Sequence, residues 1–292
     1  MIGPVPSLEP SGYLTTPHNA ARVLAQPCQL GALRLVPGER QLVEYIRTLY
    51  AGGWQQSVFW PIHVVGTTES DSWPVVQREA ARAVHTLVCL VSLAWNEAWQ
   101  VRVAPQNLPS SKPYVPDDSS PPPNWPPGDK PQVGMRDEQD IPTWLREAWG
   151  RLETEHGSKP TAAALSLWHQ GILLKAEHPS LALVAFVASV EQVGRVLSKL
   201  QGSNVKKPEA LFWTTAGLVA TPDDLALLRK WKVYSQRSAT AHGRKVHGLE
   251  AEFGAIPLPL PKDSPDPVSE FVYKTVPQLG RTARDLLLRI LT

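Results

Sequence analysis

The run Tyr234-Ser-Gln-Arg237-Ser238-Ala-Thr-Ala-His242-Gly243 puts a phenol, a guanidinium and an imidazole within ten residues of one another. Arginine keeps its proton at any physiological pH and offers a planar fork that fits phosphate oxygens. Histidine titrates near neutrality, so it can take a proton from an attacking group or give one to a leaving group. RNA carries its own nucleophile, the 2′-OH beside each phosphodiester. Cleavage of RNA then needs a base, an acid and positive charge where the transition state accumulates negative charge. Arg237 and His242 are the residue types for that chemistry, and no metal or cofactor is required.

The surroundings of this run are basic. Arg229, Lys230, Lys232, Arg237, Arg244 and Lys245 fall in one stretch that contains no Asp or Glu, in a chain whose formal net charge is only +2. The whole-chain balance argues against a dedicated DNA binder, while the local excess suits a polyanion; a solvated helix face explains it equally well. Helix geometry sets a condition. At 100° per residue, positions five apart stand about 140° from one another. Arg237 and His242 therefore share a face only where the helix is irregular, and Gly243 marks a place where it can break.

The spacing Arg-x4-His inside YSQRSATAHG resembles the motif of HEPN domains, in particular the Apea-like group. That family also places an acidic or polar residue on an earlier core helix, and the stretch ALVAFVASVEQVG offers Glu191. The resemblance covers about residues 141–291. It implies a helical bundle acting as a metal-independent endoribonuclease, with His242 as general base or acid, Arg237 on the phosphate and Glu191 holding Arg237 in place. It implies a homodimer that joins two motifs across a cleft, and a toxin or antiviral defence setting with a regulatory or antitoxin partner. Tyr234, Ser238, Lys232, Arg244 and Lys245 are then the expected RNA contacts. The alternative within the same resemblance is a non-catalytic bundle for RNA or protein binding and dimerisation.

Each residue also has a plainer explanation. His242 suits a helix C-terminus, where an imidazolium meets the dipole and the last carbonyls. Arg237 fits a solvated basic face, and Glu191 lies four residues before Arg195, the spacing of an ordinary helical ion pair. His247 reads as a loop residue and His169 as a packed one. Tryptophans 144, 149, 168, 213 and 231 occupy helical positions and read as core or interface anchors. The histidines and the two cysteines, Cys28 and Cys89, show no zinc-ligand spacing, and two cysteines make no disulfide framework.

The elements that must position these groups divide the chain into three. Residues 104–134 hold ten of the 29 prolines and read as a linker or long loop. Residues 1–103 read as a small α/β region of no evident chemistry: a helix over GERQLVEYIRTLYAG, a strand over Ser57 to Val65, a long helix from Pro74 to Trp95 and a short strand from Trp99 to Val103. Residues 135–292 read as all helix, and the fold as mainly α. Helices are expected from Ile141 to Leu152, Pro160 to Ala176 and Pro179 to Gln201, the last stopped by Gly202. A fourth starts at Thr221-Pro222-Asp223-Asp224, with a threonine cap and acids in the first turn, and runs to about His242. A fifth runs from Pro267 to Leu291 with a kink expected at Pro277. The first residues lack a basic-then-apolar leader and the apolar helix near Ala83–Trp95 is too short to span a bilayer, so the expected location is the cytoplasm, away from membranes.

Overall fold

The computed structural model describes residues 10–15, 22–37, 42–47, 54–59, 62–66, 72–107, 137–154, 159–176, 178–202, 207–241 and 267–292. The fold is mainly α, with an α/β region at the N-terminal end. The chain divides into two compact units, Met1–Gly150 and Arg151–Thr292. The division falls inside a helix rather than in the proline-rich stretch.

In the first unit, strands β1 (Pro10–Thr15), β3 (Cys28–Leu30), β4 (Leu33–Pro37), β7 (Ile62–Gly66) and β8 (Gln100–Asn107) form an antiparallel sheet in the order β3-β4-β7-β1-β8. A two-residue turn joins β3 to β4, and Gly31 takes the positive φ of 53° that such hairpins need at their first turn position. Leu33 and Leu35 are buried while Arg34 between them is exposed, the alternation of a sheet with one apolar face. Helix α1 (Trp73–Trp95) lies against β8 and β1 and buries Val76, Ala80, Val84, Leu87 and Val91. It ends at Asn96, a residue that tolerates the left-handed φ of 55° found there.

Four expectations are corrected here. Leu42–Arg47 is a strand, β5, paired antiparallel with β6 (Trp54–Phe59), not a helix. Leu42, Tyr45 and Ile46 fit a helical stripe, but the backbone ladder that runs from Leu42↔Phe59 to Arg47↔Trp54 makes the segment a strand. The single strand expected over residues 57–65 is two, since β6 and β7 belong to different sheets. Strand β8 runs to Asn107, beyond the expected start of the linker at residue 104. It accommodates Pro105 because it is an edge strand whose register slips between the pairs Tyr13↔Val103 and Ser11↔Gln106. The extra residue of that bulge removes the need for a ladder donor. Residues 137–139, expected within the bundle, form β9 and pair in parallel with β2 (Arg22–Leu24). The rest of the proline-rich stretch, residues 108–134, lies outside the described residues.

Helix α2 (Thr143–Thr154) leads into the second unit, which contains α3 (Lys159–Leu174), α4 (Pro179–Leu200), α5 (Pro208–Ala216), α6 (Pro222–Lys230), α7 (Val233–Ala241) and α8 (Val276–Leu291). Helix α4 is the core, touched by α3, α5, α7 and α8. Among the described residues it alone is long and apolar enough to cross a membrane, and most of its apolar length is buried in this bundle. Close approach depends on glycine. A Cβ on Gly171 of α3 would stand 2.4 Å from the Phe186 ring of α4, and one on Gly280 of α8 would stand 3.0 Å from the same ring. Phe186 thus sits between two helices that come near only where a side chain is missing. Trp168 Nε1 donates to the Gly280 carbonyl at 3.1 Å and Ser189 Oγ to the Ala164 carbonyl at 2.8 Å, satisfying polar atoms inside the same seam.

The helix expected from Thr221 to His242 is two. Its start is as expected: Thr221 Oγ1 accepts from Asp224 N–H and Asp224 accepts from Thr221 N–H, a capping box. It stops at Trp231, and Lys232 adopts a φ of 47° before α7 begins at the buried Val233. Helix α5 was not anticipated, although Pro208 at its first position and Gly217 at its end are ordinary boundary signals. The last helical segment is α over Pro267–Glu270, π over Phe271–Thr275 and α again as α8. Pro277 has no N–H to give the preceding turn, and Val276 N–H reaches back five residues to Phe271 O.

Candidate functional site

Helix α7 carries Tyr234, Arg237 and Ser238, and its inner side meets α4. Val233 and Arg237 are four residues apart, so the packing of Val233 turns Arg237 toward α4 as well. There Arg237 Nη2 donates to Glu191 Oε2 at 3.1 Å. Glu191 is buried, whereas a third of the Arg237 side chain remains open to solvent. Among the described residues the ion-pair partner of Glu191 is therefore Arg237, 46 positions away, and not Arg195 on its own helix. The other carboxylate oxygen, Oε1, is also buried and has no hydrogen-bond partner among the described residues.

Tyr234 lies one turn before Arg237. Its ring packs at 47° to Phe212 of α5, with centroids 5.6 Å apart. Its hydroxyl lies beside Glu191. Burial first, then the Glu191 carboxylate, push the phenol above its ordinary pKa; Glu209 adds to this and Arg237 opposes it. The site thus joins Glu191, Tyr234 and Arg237 from two helices. Ser238 and Lys232, both expected to face RNA, are exposed. His242, Arg244, Lys245 and His247 lie outside the described residues.

The basic stretch does not present a row of free cations. Arg229 sits over the Trp213 ring at 5.3 Å from its centroid. Lys230 Nζ donates to both oxygens of Glu270, at 2.6 and 2.9 Å, and Trp231 Nε1 donates to the same carboxylate at 2.9 Å. These donors hold the Glu270 carboxyl below its usual pKa. Of the four described cations, only Lys232 lacks such an engagement. Glu270 had no signal in the sequence, since it is 40 residues from Lys230 and is brought there by the helical segment that precedes α8.

Trp149 and Trp168 are fully buried and Trp213 and Trp231 half-buried, as anchors rather than a stacking platform. His169 is buried in α3. Among the described residues no group of three or more His, Cys, Asp or Glu side chains is placed to hold a metal ion. Both cysteines are free thiols, Cys89 buried and Cys28 half-buried, and burial raises the pKa of each. The chain matches no family model, no curated protein and no solved structure.

Proposed function

We propose that the C-terminal bundle is HEPN-like and acts on RNA as a metal-independent endoribonuclease. His242 serves as base or acid for 2′-OH attack and Arg237 stabilises the phosphate. The observation that carries the reading is the cross-helix contact of Arg237 with the buried Glu191. An arginine on a helix surface is ordinarily solvated, and a surface ion pair contributes little to stability. Burying a carboxylate to hold one such guanidinium has a cost, and a fixed phosphate-binding fork is a reason to bear it. The open third of Arg237 leaves room for a phosphate oxygen beside the carboxylate.

The protein acts in the cytoplasm in this reading, as a homodimer that brings two histidines to one phosphodiester. A toxin or antiviral role under a regulatory or antitoxin partner follows from the resemblance. The second reading, a non-catalytic RNA- or protein-binding module, draws support from Arg229 and Lys230, whose charges are engaged inside the unit.

The test is incubation of labelled single-stranded RNA with the full chain in EDTA, beside His242→Ala and Arg237→Ala. Cleavage that resists the chelator, leaves 2′,3′-cyclic phosphate ends and is lost in both variants supports the nuclease. RNA bound and left intact by the wild type supports the binding module. RNA neither bound nor cut overturns the nuclease and the RNA-binding module alike, and leaves the protein-binding form of the second reading.

A further inference from the structure

The sequence marks Tyr234 as an RNA contact, but the packing around it points elsewhere. Its ring is fixed against Phe212, it stands one turn from Arg237 on the same helix, and its hydroxyl lies beside Glu191. Glu191 meanwhile has one oxygen engaged by Arg237 and the other buried without a donor. A buried carboxylate oxygen left unsatisfied is costly, and a neutral phenol is the donor that relieves it without adding charge.

We propose that Tyr234 is a positioning residue whose hydroxyl donates to the second oxygen of Glu191. Tyr234, Glu191 and Arg237 then form one clamp between α7 and α4 that sets the direction of the guanidinium, and Tyr234 does not touch RNA. With one oxygen held by each partner, the carboxylate cannot rotate. Arg237 is thereby held in a single orientation with its remaining N–H groups outward. The inference deepens the reading above, yet the clamp itself is tested without any RNA.

The groups facing the phenol are Glu191 from α4, Glu209 from α5 and Arg237 from α7. Phenolate absorbance is followed as pH rises, with Tyr234→Phe subtracted from wild type to isolate this one phenol. Its midpoint is expected above the ordinary value of about 10 and falls toward it in Glu191→Gln. A midpoint at the ordinary value, unmoved by Glu191→Gln, overturns the clamp. Since alkaline pH can unfold the chain first, a double-mutant cycle at neutral pH supplies a second readout. Tyr234→Phe and Glu191→Gln are expected to be non-additive in the unfolding equilibrium by about fivefold or more. Additive losses overturn the clamp as well.

Binding of a 2′-deoxy-substituted, uncleavable RNA separates the two proposals. Because the clamp acts through Arg237, Tyr234→Phe is expected to weaken this Kd in the wild-type background and to leave that of Arg237→Ala within about twofold. A further loss from Tyr234→Phe in the Arg237→Ala background makes Tyr234 an RNA contact and overturns the inference. No RNA binding by wild type overturns the functional reading while the cycle still decides the clamp.

Discussion

Arg237 and Glu191 meet at 3.1 Å across two helices, and the partner with the carboxylate is the one that is buried. The asymmetry makes the two residues unequal under mutation. Removing Arg237 strands an ionised carboxylate in the bundle, whereas removing the charge of Glu191 frees an arginine that already reaches water.

Arg237→Ala is therefore expected to lower stability by roughly 1–3 kcal/mol, the smaller end of a buried-pair loss because solvent reaches the guanidinium. Glu191→Gln is expected to cost less, and a Glu191→Leu/Arg237→Leu pair to recover most of the loss. Urea unfolding midpoints check this. Equal losses in Arg237→Ala and the double variant would show that the pair is not what Arg237 contributes.

Glycine contacts give a contrast within the helices. Gly171→Ala drives a Cβ into the Phe186 ring at 2.4 Å and is expected to destabilise by about 1–3 kcal/mol. Gly150, inside α2 and with nothing within 4 Å of its added Cβ, is expected to behave oppositely. Gly150→Ala gains roughly 0.5–1 kcal/mol from helix propensity and reduced freedom of the unfolded chain. Thermal unfolding of the two variants should shift in opposite directions.

The Glu270 contacts predict an acid-side dependence. Donors from Lys230 and Trp231 depress the folded pKa of Glu270. A depressed carboxyl contributes stability that is present above its unfolded pKa of about 4.3 and is lost as pH falls through the folded value. Wild type is expected to lose unfolding midpoint faster than Glu270→Gln on titration downward from neutrality into this range. Parallel curves would show that the carboxylate contributes nothing by ionisation.

Thiol chemistry should separate the two cysteines. Both pKa values are raised by burial, but Cys89 is buried and Cys28 only half so. With a disulfide reagent at neutral pH, the native chain is expected to release one equivalent slowly, absent in Cys28→Ser, and the second only on unfolding. Rapid release of two equivalents from native protein would contradict the packing around α1.

Most helices of the second unit, α5 excepted, were legible in the sequence because their signals are local. Pro179 and Gly202 bracket α4, the Thr221–Asp224 box opens α6, and the all-round apolar stretch before Glu191 marks a core helix. The resemblance named Glu191 as the partner of Arg237, and the two residues do meet. Leu42–Arg47 was misread because its spacing satisfies a helix while its pairing partner, Trp54–Phe59, decides for a strand. The break at Lys232 and the capture of Lys230 by Glu270 were hidden for a related reason. A residue's caps and periodicity lie within a few positions of it. The strand it pairs with, and the acid that takes its charge, lie tens of residues away and are chosen only when the chain packs.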